Sequence, residues 1–229
     1  MESVKNFYDS GLGDRLIDEK RYSLEILSYL AGEKKIVAEL LARYETLIEV
    51  GCMNGRYLDL AVEKEKRYIG IDVVKRYVDE ANRTIKDKKL SPKDFFALNI
   101  SAENLESLFV GKEISKPILV FPFNCFGNMT SFKEVVDTLI RLKKPFAVFS
   151  YGTDPYSDSV REKYYKSCGY KSIDKVVDIT GHRFVSPEGL NTIAYEKDFL
   201  INFFRDRNVE ITPESFSRFG IYYSAFLTT

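Results

Sequence analysis

The sequence predicts an α/β fold: a mostly parallel central sheet flanked by helices, with an N-terminal helical cap and a small antiparallel insert. Two observations carry this expectation. From Glu45 onward, short apolar runs alternate with longer amphipathic stretches, the pattern of strands joined by crossover helices. The chain of 229 residues is 45% hydrophobic and 30% charged, which suits one soluble domain with a sizeable core rather than a fibre or a disordered tail.

The elements follow in order. Residues 1–44 read as helices, with amphipathic stretches at 23–30 (SLEILSYL) and 34–44 (KKIVAELLARY). TLIEV (46–50) is the first predicted strand and RYLDLAVEKE (56–65) the helix after it. RYIGIDVV (67–74) is a strand, KRYVDEANRTIKDKK (75–89) a helix, and DFFALNI (94–100) a third strand. PILVFPF (117–123) is apolar over a strand's length, SFKEVVDTLIRL (131–142) has helical spacing, and PFAVFSY (145–151) closes the alternation. Beyond it come a helix-like SDSVREKYYKSC and a hairpin-like segment rich in β-branched and turn residues. A helix at 199–207 and a last strand at 220–229 follow. The expected organisation is one domain over 1–229, with the cap at 1–44, the core at 45–151 and the insert at 172–195.

Bulk charge narrows the function. Lys plus Arg and Asp plus Glu both total 34, so the net charge is zero. Nucleic-acid binders draw most of their affinity from neutralising phosphates, so the balance counts against that class. Cys52, Cys125 and Cys168 lack metal-ligand spacing, and His182 is the only histidine; no metal site is expected. The N-terminal stretch lacks a signal-peptide core, and no apolar run approaches the ~20 residues that span a bilayer. The expectation is a cytoplasmic protein with a small-molecule partner and no membrane partner, its oligomeric state open.

The segment LIEVGCMNGRY (47–57) joins the first strand to its helix through Gly51 and Gly55. Such a turn lets a ligand approach the backbone and the helix N-terminus. It is not the dinucleotide fingerprint G-x-G-x-x-G, because Met53 and Arg56 occupy the second and third glycine positions. A plain strand-to-helix turn would read the same way. Asp72 ends the second strand roughly 20 residues beyond Gly51, where nucleotide-binding α/β proteins place a carboxylate for the ribose hydroxyls.

Together these residues resemble motifs I and II of the class I S-adenosylmethionine-dependent methyltransferases, a Rossmann-like superfamily. E-V-G-C-x-x-G-R-Y is a common form of the first motif and G-x-D of the second. The resemblance implies S-adenosyl-L-methionine as cofactor and S-adenosyl-L-homocysteine as product. It places Glu49, Gly51, Cys52 and Gly55 around the methionine part, and Asp72 and Val73 at the ribose side. Ser101 and Ala102, in the register of the family's D-A-x-x-L, fall on the adenine side, with serine where the family has an acid; Asn99 is the possible substitute. Phe121 and Phe123, at the end of the fourth strand, complete the cofactor set. Met53 departs from the pattern: at positive φ its side chain would be costly there.

The run VFPFNCFGNM (120–129) resembles the segment after strand four in small-molecule methyltransferases, especially the amino-sugar N-methyltransferase group. It is not the N/D-P-P-Y/F motif of nucleic-acid amino-methyltransferases. Tyr8, Asn124 and Asn128 are the candidates for orienting substrate, and His182 for a general base. The expected reaction is methyl transfer to a small-molecule nitrogen or oxygen. Two alternatives stand beside it: a binding protein on a degenerate methyltransferase fold, suggested by Met53 and Ser101, and a methyltransferase acting on RNA or protein.

Overall fold

The structure, a computed structural model, describes residues 2–111 and 113–226. Seven α-helices occur among them: α1 (Glu2–Asp9), α2 (Leu24–Leu41), α3 (Leu58–Glu63), α4 (Lys75–Asp87), α5 (Phe132–Leu142), α6 (Pro155–Ser167) and α7 (Lys197–Arg205). The strands are β1 (Thr46–Val50), β2 (Arg67–Ile71), β3 (Phe95–Leu98), β4 (Pro117–Phe121) and β5 (Phe146–Tyr151). After these come β6 (Asp174–Asp178), β7 (Gly181–Val185), β8 (Asn191–Tyr195), β9 (Thr212–Ser215) and β10 (Gly220–Ala225). Residues 227–229 of the expected last strand lie outside the described residues.

Seven strands form one sheet in the order β3-β2-β1-β4-β5-β10-β9, and β6-β7-β8 form a separate antiparallel sheet. The pairs β1–β2, β1–β4, β2–β3 and β4–β5 are all parallel. Sequence order therefore reverses at β1, where β2 lies on one side and β4 on the other. In open α/β sheets ligands bind beyond the strand carboxyl ends at such a switch point. The expected α/β fold, mostly parallel sheet and small antiparallel addition are all present.

The chain divides into two compact units. One comprises residues up to 33, 123–130 and 149–223; the other comprises 34–122, 131–148 and the chain from 224. In the second unit β1 is buried along its whole length, as is β4. Helix α4 shows why its sequence folds as it does: Tyr77, Val78, Ala81 and Ile85 recur at helical spacing and are the buried positions. Val78 and Ala81 join Cys52 and Ala97 in one cluster. The first unit has a larger core rich in aromatics, including Tyr29, Tyr151, Tyr164, Phe184 and Phe219.

Two differences from expectation have local causes. The stretches read as separate at 23–30 and 34–44 are one helix, α2. Gly32 does not break it, and a Cβ there would come within 2.9 Å of the Phe216 ring, so the glycine serves close packing. Strand β9 carries Pro213 and is mostly exposed; proline and polarity are tolerated because it is an edge strand, and they conceal it in the sequence.

The opposite edge strand, β3, is closed by a side chain. Asn82 of α4 donates to the Ala97 carbonyl and accepts from the Ala97 N–H, both at 2.9 Å. Ala97 is buried, so removing the amide strands a donor and an acceptor. Asn82→Ala is expected to cost about 1–3 kcal/mol in urea unfolding; a loss within error would show that water replaces the pair.

Candidate functional site

The carboxyl end of β1 leads directly into the 51–57 loop. The Gly51 and Cys52 N–H groups both donate to the Ile71 carbonyl, at 2.9 and 3.0 Å, which ties the loop's first turn to β2. Gly51, Met53 and Gly55 have φ of 76°, 49° and 95°. The position where a third glycine would stand is thus left-handed and carries methionine, at a cost of about 1–2 kcal/mol. The loop adopts its alternating turn despite the side chain.

Asp72 supplies the constraint that compensates. Its Oδ2 accepts the Met53 N–H and its Oδ1 the Val74 N–H, both at 2.9 Å. Asp72 is only 8% exposed. Burial raises its carboxyl pKa, against the opposing pull of the Val74 and Met53 N–H groups. Ionising Asp72 therefore works against folding: the penalty sets in as pH rises above the ordinary carboxyl value and is complete above the raised one. Each carboxylate oxygen has two acceptor sites and uses one on the backbone bond described, so capacity for hydroxyl donors remains.

Glu49 is fully buried and acts on the same loop. Its Oε2 accepts from the Tyr57 N–H at 3.2 Å and from the Tyr68 hydroxyl at 2.7 Å. Burial, followed by the nearby Glu49 charge, holds the Tyr68 hydroxyl well above its ordinary pKa, so Tyr68 stays the donor. Gly70 makes room for this arrangement, because a Cβ there would lie 2.7 Å from the Tyr68 hydroxyl and 2.8 Å from the Cys52 sulfur. The Cys52 thiol is buried, and its pKa is pushed up chiefly by burial.

The other sequence-predicted residues of this unit fall as follows. Val73 is 36% exposed directly after Asp72, an apolar surface at a strand end. Asn99 donates to the Asp72 main-chain carbonyl at 2.9 Å. Ser101 accepts from Asn104 at 2.9 Å, and Ala102 is buried at the start of a 3-10 segment. Phe121 is fully buried in β4.

The remaining predicted residues belong to the first unit. Phe123 and Asn124 are consecutive left-handed residues, φ 45° and 55°, a pairing that persists only where surroundings over-determine it. The Phe123 N–H donates to Glu33 Oε2 at 2.8 Å. Asn124 is buried; its amide donates to the Ile193 carbonyl at 3.0 Å and to Thr192 Oγ1 at 3.1 Å, and accepts from Ser150 at 2.9 Å. A Cβ on Gly127 would lie 1.9 Å from the Ile193 carbonyl oxygen, so β8 passes against this loop. Asn128 donates to the half-buried Tyr8 hydroxyl at 3.3 Å.

His182 sits on β7 between two carboxylates. Nδ1 lies 2.8 Å from Asp158 and Nε2 3.3 Å from Glu196. Arg161 is fully buried beside it, donating to the His182 carbonyl at 3.0 Å and lying 4.6 Å from the Phe184 ring centroid.

Glu33 is the residue that sequence reasoning missed. A signal existed: it shares the helical stripe of Ile26, Tyr29, Val37 and Leu40, all buried, where a carboxylate is costly without a partner.

The sheet order and loop define a class of fold, the switch-point α/β sheet with a glycine-containing turn after its first strand. Comparison with solved structures gives that class its name: the fold is that of S-adenosylmethionine-dependent methyltransferases. One such structure is the 1,6-didemethyltoxoflavin-N1-methyltransferase of Burkholderia thailandensis with 1,6-didemethyltoxoflavin and S-adenosylhomocysteine bound. It is 11% identical with a TM-score of 0.64, over 98% of this chain and 87% of that one. Another is the magnesium protoporphyrin IX methyltransferase of Synechocystis PCC 6803 with bound S-adenosylhomocysteine, 11% identical, TM-score 0.62, over 97% and 96%. A third is an S-adenosylmethionine-dependent methyltransferase from Clostridium acetobutylicum ATCC 824, 10% identical, TM-score 0.59, over 87% and 92%. No family model and no curated protein matches the sequence.

Two outcomes follow from the loop geometry. Met53→Gly exchanges left-handed strain for glycine's unfolded-state entropy, so unfolding free energy should stay level or rise by about 1 kcal/mol; a clear loss would mean that the methionine side chain itself holds the loop. Glu33→Ala should destabilise by about 1–3 kcal/mol in denaturant titration while Glu33→Gln, which keeps an acceptor for Phe123, loses less. Equal losses would exclude the Phe123 bond as the reason.

Proposed function

We propose that the chain binds S-adenosyl-L-methionine and transfers its methyl group to a nitrogen or oxygen of a small molecule. The observation that carries this reading is the Asp72 carboxylate bonded to the left-handed Met53 N–H beside the β1 switch point. The residues present fit the cofactor: the loop is turned by left-handed residues, a carboxylate retains acceptor capacity, and exposed Val73 offers an apolar surface beside it.

In this reading Asp72 accepts the ribose hydroxyls, and Val73, Ser101 and Ala102 border the adenine. The main chain of Gly51 to Gly55 approaches the methionine portion, and Glu49 and Cys52 keep that loop in shape. When bound, the cofactor supplies an activated methyl group, so the protein's task is placement and exclusion of water. Tyr8 and Asn128 are assigned to orienting the acceptor. Asn124, Phe121 and Phe123 hold the segment after β4, and His182 positions β7 through Asp158 and Glu196. The small-molecule assignment is supported by two neighbours of the same fold, methyltransferases of 1,6-didemethyltoxoflavin and of magnesium protoporphyrin IX.

The degenerate-binding-protein alternative rested on Met53 and Ser101; the loop takes its left-handed turn with methionine in place, which weighs against the first of these grounds. The test is calorimetric titration with S-adenosylmethionine and S-adenosylhomocysteine, with Asp72→Ala alongside and its fold checked by circular dichroism. Binding with Kd in the range of about 1–100 μM, lost in a folded Asp72→Ala, is expected. A wild-type protein that binds neither ligand would overturn the reading.

A further inference from the structure

The first unit holds an open cavity of about 610 Å³ lined by residues between Asp18 and Ser23, which precede α2, and by Lys163, Tyr164 and Ser167 of α6. Its charge is distinctive. The whole chain is neutral, yet Lys20, Arg21 and Lys163 line the cavity against a single carboxylate, Asp18.

That carboxylate is already engaged. Asp18 Oδ1 accepts the Lys20 N–H at 3.2 Å and Oδ2 accepts Arg21 Nε at 3.0 Å. A second bond fixes the Arg21 guanidinium, from Nη1 to the Ser167 carbonyl at 3.0 Å. Only part of its five-donor fork is used, so Arg21 is a cation pre-oriented by two anchors. Lys20 and Lys163 are exposed, and the Lys163 charge also acts on Glu25 at the start of α2. Tyr22 supplies the aromatic side of the cavity and is backed by the buried Tyr164, their ring centroids 6.0 Å apart.

We propose that this cavity binds a small molecule carrying a phosphate or carboxylate group. Arg21 contacts the anion through its remaining N–H groups, Lys20 and Lys163 supply the surrounding positive potential, and the Tyr22 ring takes an apolar or aromatic body. None of the lining residues is among those assigned to the cofactor, although Phe123 packs against Tyr22 and Tyr164 behind it; the test therefore reads anion binding and not methyl transfer.

The test uses the full chain and two pairs of probes: phenyl phosphate against phenol, and benzoate against benzyl alcohol, followed by NMR chemical-shift titration. At least one anion should bind with Kd of about 1 mM or tighter, and the preferred anion distinguishes a phosphate source from a carboxylate one. Rising salt should weaken it, since the cations are solvent-exposed. In the double variant Lys20→Glu, Lys163→Glu, whose side chains are exposed, affinity should fall about tenfold or more, whereas Asp72→Ala should leave it unchanged. The proposal is overturned if the neutral probes bind as well as the anions, if the double variant binds equally, or if neither anion binds. It is equally overturned if only bulk tRNA shows binding lost in the double variant, which would make the patch a nucleic-acid face.

Discussion

The second unit depends on one contact, the Asp72 carboxylate held against the Met53 N–H. Asp72 closes β2, and Met53 turns the loop that leaves β1. Two adjacent parallel strands are therefore locked at their carboxyl ends by a bond 2.9 Å long. Burying a carboxylate is unfavourable, and the raised Asp72 pKa records that cost. The backbone donors of Met53 and Val74 offset it. Without them neither the ionised side chain nor the left-handed methionine has a reason to persist.

Around that contact the same logic repeats with other residues. Glu49 lies under the loop, where Tyr68 and the Tyr57 N–H take its charge, and Gly70 is small so that Tyr68 and Cys52 fit beside it. In the first unit Phe123 and Asn124 are strained, and Glu33, Ser150, Thr192 and Ile193 supply the bonds that hold them. These two strained turns thus have buried polar side chains fixing them, a common arrangement where a fold prepares a surface for a ligand. The Asp158–His182–Glu196 chain, with Arg161 beneath aromatic rings, does similar work for the three-stranded sheet.

Much of this was legible in the sequence. Periodicity located β1 residue for residue and the centres of β2 to β5, because parallel strands and their crossover helices carry different repeats. The pairing of Gly51 with Asp72 was legible because both sit at strand ends a fixed distance apart along the chain. Strand β9 was not, since an exposed edge strand needs no apolar pattern, and α2 looked divided because a glycine in a helix reads as a break until its packing partner is known.

What the sequence by itself determined is the run of parallel strands and the residues that end them: β1 to β5, the turn after β1 and the carboxylate closing β2. These follow from side-chain period and backbone preference, which act over a few residues. The tertiary structure alone decided what each polar group faces. It turned Glu33 into the acceptor for Phe123, set His182 between two carboxylates, spent the Asn124 amide on β8, and gathered Lys20, Arg21 and Lys163 around one cavity. Those partners lie up to 143 positions apart in the chain, the separation of Lys20 from Lys163 (163 − 20 = 143). No local rule pairs groups at that separation; only the packed fold brings their charges within reach.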